Sequence, residues 1–226
     1  MSTATERDIV YTTAGDRPLE EIQLSLDGRT WSILQTGLVV SREQEVAFLR
    51  AQKTAPRPYG IVLWPAAIAL AHDLATRDLA AKRILELGAG TGLPGIVAAA
   101  RGARVVQTDH QQLVLDLCTR NAARNGVTTI EHRMADWTAW EDAARYDVIL
   151  GADILYAESL HPHMRHIFDA NLATSGTVLL ADPFRDTSVR LLEAMQADGW
   201  RITMDKWTVA VTPRPRPIGV FTLVRA

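Results

Sequence analysis

Cysteine occurs once in the 226 residues, at Cys118, so no internal disulfide can staple the fold and its core must hold it unaided. That usage fits a reducing compartment. Neither charge sign dominates: 24 basic and 26 acidic side chains leave a formal net charge of −2 with no Lys/Arg run, which argues against a surface built to grip nucleic-acid phosphates. The longest apolar run, Ile61 to Ala71, falls well short of the roughly 20 residues of a membrane span and contains Pro65. The opening MSTATERDIV lacks the apolar stretch of a secretory signal, so the expectation is a cytoplasmic chain with no membrane segment. Internal repeats and low-complexity tracts are also missing. What is present is ordinary globular material, 47% hydrophobic and 22% charged, enough for one domain with a small N-terminal extension.

Residues 1–18 are polar. From Ile22 the chain runs IQLSL, DGR, TWSILQ, and Asp27-Gly28 between two alternating runs predicts a β-hairpin. A short helix is expected over about Glu43 to Ala51, then a loop at Pro56 and Pro58. The extension with its hairpin is assigned to 1–58 and the main domain to 59–226. Pro65 suits the first turn of a helix over Ala66 to Asp73 or beyond, because its missing N–H has no partner there anyway.

Helices and buried strands then alternate. Strands are expected at Arg83–Leu87, Arg104–Thr108, Thr129–Arg133, Val148–Leu150 and Thr177–Ala181. The helices between them are expected at Pro94–Arg101, Gln112–Asn125 and Ser159–Asn171, with another at Thr187–Asp198 ending on Gly199. Two last strands, Arg201–Thr208 and Val220–Val224, flank a turn with Pro213, Pro215 and Pro217. Alternation implies a mostly parallel sheet covered by helices on both faces. Two final strands with no helix between them imply one antiparallel strand, so the α/β fold expected is Rossmann-like and seven-stranded.

The segment ILELGAGTGLPG places Gly88, Gly90, Gly92 and Gly95 between a strand and a helix, where the backbone must turn sharply and lie close to a ligand. Asp109 closes the next strand, where a carboxylate can bind both hydroxyls of a ribose. Two ligand readings stay open at this level. Gly90, Gly92 and Gly95 match the dinucleotide fingerprint, with a helix N-terminus facing a pyrophosphate. Glu86, Gly88, Gly90 and Gly92 match E-x-G-x-G-x-G, in which a carboxylate suits a cationic ligand and repels a pyrophosphate. A purely structural strand–helix corner is the third possibility.

LELGAGTGLPG resembles motif I of class I S-adenosylmethionine-dependent methyltransferases. Gly60 to Arg185 more narrowly resembles the seven-strand protein-lysine methyltransferases, the group that modifies chaperones and the electron-transfer flavoprotein β subunit. Matching features are Trp64-Pro65-Ala66-Ala67, Leu93-Pro94-Gly95, Asn121 with Asn125-Gly126, Asp136-Trp137, and Asp153-Ile154-Leu155-Tyr156, which matches the group's D-x-x-Y motif. Ala181 to Arg185 resembles the D-P-G-R stretch of the flavoprotein-modifying branch, with Phe184 in place of its glycine.

The resemblance implies an enzyme that uses S-adenosylmethionine to methylate an amine nitrogen, with a protein lysine as acceptor. Glu86 and the Gly88, Gly90 and Gly92 backbone would hold the methionine part, and Asp109 the ribose. Asp136 would accept from the adenine amino group, Trp137 would pack on the ring, and Trp64 would line the pocket. Core packing is the plain alternative for both tryptophans, and a turn role for Asp136. Asp153 and Tyr156 are the expected catalytic pair. With a lysine pKa near 10.4, under about 1% of the amine is neutral at pH 7. A carboxylate can align the ammonium and a phenol can hydrogen-bond the amine. A three-residue spacing would put both on one side of a helical turn, with an N-cap and a core tyrosine as the alternative.

His161, His163 and His166 form H-x-H-x-x-H at a helix start, but no Cys or carboxylate completes a ligand set, so no metal site is expected. Cys118, beside Leu115 and Leu117, reads as a buried structural thiol. The competing functions are N-methylation of a small amine, an NAD(P)-dependent oxidoreductase, for which no tyrosine–lysine hydride-transfer pair is apparent, and a non-catalytic cofactor-binding domain.

Overall fold

The computed structural model describes residues 9–10, 17–37, 59–210 and 215–226. The expected helix over Glu43 to Ala51, the loop at Pro56 and Pro58, and Pro213 lie outside the described residues.

Two short strands, β1 (Ile9–Val10) and β2 (Arg17–Pro18), pair antiparallel. The hairpin read at Asp27-Gly28 consists of β3 (Glu20–Leu26) and β4 (Arg29–Gln35). Asp27 and Gly28 have φ of 47° and 72°, the two positive angles that a tight twist-matched hairpin turn requires.

The main sheet contains β5 (Arg83–Leu87), β6 (Arg104–Asp109), β7 (Glu131–Met134), β8 (Tyr146–Ala152), β9 (Leu172–Asp182), β10 (Trp200–Val209) and β11 (Arg216–Arg225). Their spatial order is β10-β11-β9-β8-β5-β6-β7. The four junctions from β9 to β7 are parallel, and β11 runs antiparallel to both of its neighbours. This is the sheet expected from the alternation of elements. The strand order reverses between β5 and β8, and open α/β sheets bind ligands outside the carboxyl ends of the strands at that point.

Among the described residues the helices are α1 (Pro65–Ala75), α2 (Leu93–Ala100), α3 (Gln112–Arg124), α4 (His161–Asn171) and α5 (Asp186–Ala197). Ile84, Leu150, Leu179 and Val220 pack on one face of the sheet with α1, α2 and the hairpin residues Leu26, Trp31 and Ile33. Their chain neighbours Leu85, Ile149, Leu180 and Phe221 pack on the other with Met164, Phe168, Leu191 and Met195 of α4 and α5. Burial on both faces explains why these strands read as continuous apolar runs. Each large aliphatic side chain so buried contributes about 1.5–3 kcal/mol relative to exposure.

Several strands are longer than their apolar cores. β9 begins at Leu172, directly after α4, and β8 begins at Tyr146 across a register shift at Tyr146/Val148. Pro217 lies inside β11 and not in a turn. It is tolerated because β9 pairs with β11 only over Gly219 to Leu223, so the missing N–H removes no bond from that ladder.

Two asparagines join the hairpin to the domain. Asn121 Oδ1 accepts from the Leu34 N–H at 2.8 Å, and its Nδ2 donates to the Leu34 carbonyl at 3.1 Å and the Thr91 carbonyl at 2.9 Å. One helical turn on, Asn125 repeats this with Ser32, accepting at 3.0 Å and donating at 2.8 Å. Each side-chain amide thus takes the place of a neighbouring strand's peptide along β4. The contact with Thr91 also ties the hairpin to the glycine-rich turn.

Candidate active site

The turn between β5 and α2 is held from below by Glu86. Its side chain is buried, and Oε2 accepts from the Gly95 N–H at 3.1 Å and from Gln107 Nε2 at 2.6 Å. Gln107, on β6, also donates to the Gly92 carbonyl at 2.8 Å, and its Oε1 lies 3.1 Å from His132 Nε2. Burial pushes the Glu86 carboxyl up to about 8; the Gln107 and Gly95 hydrogen bonds oppose the rise, and the nearby Asp109 charge adds to it. A Cβ on Gly95 would lie 2.4 Å from Glu86 Oε2, so this glycine is required by packing against the carboxylate. Gln107 went unnoticed in the sequence. Nothing in the run RVVQTD sets it apart from its polar neighbours Thr108 and Asp109; its full burial shows only in the fold.

Asp109, also buried, ends β6 beside the same turn. Gln111 N–H donates to Oδ1 at 3.2 Å and Gly90 N–H to Oδ2 at 3.4 Å. The Asp109 carboxylate raises the exposed His110 imidazole above its ordinary pKa, with Nδ1 3.2 Å from Oδ1. Beneath the turn, Cys118 Sγ donates to the Gly90 carbonyl at 3.0 Å and is fully buried, as its apolar neighbours predicted.

Trp137 covers the other side. Gly88 has φ of 63°, and a Cβ there would crowd Ile154 at 3.0 Å while touching the Trp137 ring at 3.4 Å, so the backbone conformation and Ile154 favour glycine beside the indole. Asp136 is exposed and caps a single turn at Trp137–Ala139, accepting from Thr138 N–H and Oγ1, each at 2.8 Å. Those bonds hold its carboxyl below the usual range. Trp64 is half-buried at the N-cap of α1. The fold therefore gathers Glu86, Gly88, Gly90, Gly92, Asp109 and Trp137 around one turn, with Asp136 at its edge.

Asp153 and Tyr156 follow β8, but not on a helical turn. Asp153 has φ of 62°, the chain bends through Tyr156, and the next regular turn begins only at Glu158. The spacing argument for a shared helical side therefore does not apply, nor does an α-helix N-cap at Asp153. Its N–H donates to the Ala181 carbonyl at 2.9 Å, extending the β8–β9 ladder by one bond. The turn is closed by His161 Nε2, 3.0 Å from the Leu155 carbonyl.

The buried Asp153 carboxylate pairs through Oδ1 with Arg185 Nη2 from the end of β9. Arg185 also binds the fully buried Asp182, through Nη1 to Oδ2 and through its N–H to Oδ1, each at 2.8 Å. Phe184, just before it, has φ of 62° and meets Phe221 edge-on with ring centroids 5.9 Å apart. This is the position where the resembling motif carries glycine, the residue that a left-handed backbone favours. A bulky residue there is strained by roughly 1–2 kcal/mol. Phe184→Gly should therefore be more stable than Phe184→Ala by about 1 kcal/mol in urea unfolding, the reverse of the order in an ordinary helix or strand. Equal stabilities would contradict the strain.

The sheet order and the glycine-rich turn at its switch point define a Rossmann-like methyltransferase fold. It is shared with the ribosomal protein L11 methylase of Lactobacillus delbrueckii subsp. bulgaricus, at a TM-score of 0.54 and 23% identity over 71% of this chain and 76% of that one. Residues 43–196 match a protein family described as lysine methyltransferase, and the chain belongs to that family. It is 38% identical over 128 residues to protein N-lysine methyltransferase METTL21A of Danio rerio, covering 53% of this chain and 58% of that one. It is also 37% identical over 106 residues to histone-arginine methyltransferase METTL23 of Xenopus laevis, covering 43% and 45%. The chain thus spans about half the length of these relatives.

Proposed function

We propose that the protein transfers a methyl group from S-adenosylmethionine to a lysine side chain of a protein substrate, in the cytoplasm, with residues 59–226 as the catalytic domain and 1–58 as an extension. The observation that carries this reading is the placement of the buried Asp153 carboxylate, with Tyr156 on the same turn, at the carboxyl end of β8 and next to the glycine-rich turn after β5. Family membership supports it.

The residues fit the cofactor. Glu86 and Asp109 are two buried carboxylates, and the Asp109 charge adds to the cost of ionising Glu86. A pyrophosphate would add negative charge to that pair, whereas the ammonium of a methionine group offsets it. This favours the adenosyl reading over the dinucleotide one. Glu86 and the turn at Gly88, Gly90 and Gly92 would hold the methionine part, Asp109 the ribose, Asp136 the adenine amino group, with Trp137 and Trp64 as walls. When bound, the cofactor supplies an electrophilic methyl on a sulfonium.

This chain's own residues then position the acceptor. Asp153 aligns the incoming ammonium, Tyr156 hydrogen-bonds the amine, and the aromatic walls exclude water while the lone pair is aimed along the transfer axis. A guanidinium acceptor is disfavoured because fork-to-fork docking needs both oxygens of a carboxylate, and Arg185 already engages Asp153 Oδ1. Incubation with methyl-labelled S-adenosylmethionine and cell lysate, followed by peptide mass spectrometry, tests the reading. Label on lysine of a protein band supports it; label only on metabolites or on arginine contradicts it.

A further inference from the structure

The acceptor corner contains a cation of its own. The Arg185 guanidinium bridges Asp182 at the end of β9 to Asp153 at the end of β8, with the Asp182 and Asp153 side chains 0% and 5% exposed and that of Arg185 14%. One guanidinium thus spans two buried carboxylates. The turns that follow the two strands each contain a left-handed residue other than glycine, Asp153 directly after β8 and Phe184 two residues past β9, each with φ of 62°. Paired backbone strain of this kind persists only where the surroundings over-determine it, and it clusters at functional sites. An exposed ion pair lies further along both segments, Arg190 of α5 with Glu158 two residues after Tyr156.

We propose that Arg185 is the positioning residue of the acceptor site, holding Asp153 ionised and oriented toward the lysine, with Phe184 setting the turn that delivers it. This rests on the reading of Asp153 as the acceptor carboxylate. Arg185 and Asp182 face Asp153 from β9 and its following turn; Tyr156 and the Glu158–Arg190 pair lie on its own turn and on α5. Without the guanidinium, two buried carboxylates remain in one corner, and burial and like charge both favour protonating one of them. A neutral Asp153 no longer attracts an ammonium. The planar fork is also what lets one side chain serve both acids, so lysine can supply the charge but only part of the geometry.

The test compares wild type with Arg185→Gln and Arg185→Lys. Calorimetric binding of S-adenosylhomocysteine checks that each variant is folded. The Asp153 13Cγ resonance, assigned by its loss in Asp153→Asn, is titrated in each. Arg185→Gln should raise the Asp153 midpoint by at least about one pH unit. It should also raise KM for the labelled acceptor at least about tenfold at unchanged cofactor affinity. Arg185→Lys should recover most of both, which a merely structural role would not produce. An unmoved midpoint and unmoved acceptor KM in Arg185→Gln overturn the proposal. If that variant fails to bind S-adenosylhomocysteine, Arg185→Lys decides: a midpoint near that of wild type, with a KM raised less than tenfold, supports the role, and loss of both overturns it. If wild type labels no lysate protein, the acceptor reading has failed, and the carboxylate titration still decides what Arg185 does to Asp153.

Discussion

Asp153→Ala is expected to lower methyl transfer at least about 100-fold while cofactor affinity stays within about threefold of wild type. The asymmetry follows from position. Asp153 closes β8, whereas the proposed cofactor contacts sit on the β5–α2 turn, at the end of β6 and after β7. Arg185 keeps Asp182 as partner when Asp153 is lost, so no cation is stranded in the core. Asp153→Asn separates charge from shape: it keeps the side-chain volume but cannot attract an ammonium, and its rate should be nearly as low. Single-turnover transfer to the labelled lysate protein, beside calorimetry with S-adenosylhomocysteine, measures both. Full activity in either variant would remove Asp153 from the acceptor site.

The second large effect belongs to Glu86. Its carboxyl is pushed up to about 8 in the folded protein, chiefly by burial, whereas an unfolded glutamate titrates near about 4.3. The folded state therefore binds this proton more tightly than the unfolded state. The stabilisation is fully present below the unfolded value and is lost as pH rises through the folded one. Unfolding free energy should fall by an amount on the order of a few kcal/mol between about pH 5 and 8. Glu86→Gln should flatten that slope, because the amide has no proton to lose. A wild-type stability that is level across this window would contradict the assignment. If the cofactor's ammonium lies beside Glu86, binding lowers the carboxyl's pKa and releases a proton near neutral pH. The observed binding enthalpy should then depend on the buffer's ionisation enthalpy in wild type and not in Glu86→Gln.

Much of this was legible in the residues. β5 is legible to the residue because Gly88 stops a short run, apolar except for Glu86, that starts at Arg83. The hairpin was read because Asp27-Gly28 admits two positive φ angles. β9 was read five residues short at its start, because Leu172 to Gly176 carries a polar, half-exposed pattern that only pairing with Tyr146 turns into strand. Pro217 looked like a turn because proline usually punctuates, and only the sheet shows that its neighbour's ladder ends before reaching it. At the site, the glycines and carboxylates were visible as a motif, and the fold places them around one turn. The Asp153–Tyr156 geometry was misread because periodicity assumes a helix, and a left-handed aspartate leaves no periodic trace. Arg185 lies in the stretch that carries the family resemblance, but its bond to Asp153 joins two strand ends whose adjacency comes from tertiary structure. Gln107 joins β6 to β5 in the same way.

The most direct measurement is calorimetric titration of the purified protein with S-adenosylmethionine, S-adenosylhomocysteine and NAD. The account requires binding of both adenosyl compounds at the Glu86–Asp109 turn and none of NAD, with the affinity for S-adenosylhomocysteine lost on Asp109→Ala. Binding of NAD alone would contradict it and make Gly90, Gly92 and Gly95 a pyrophosphate cradle after all.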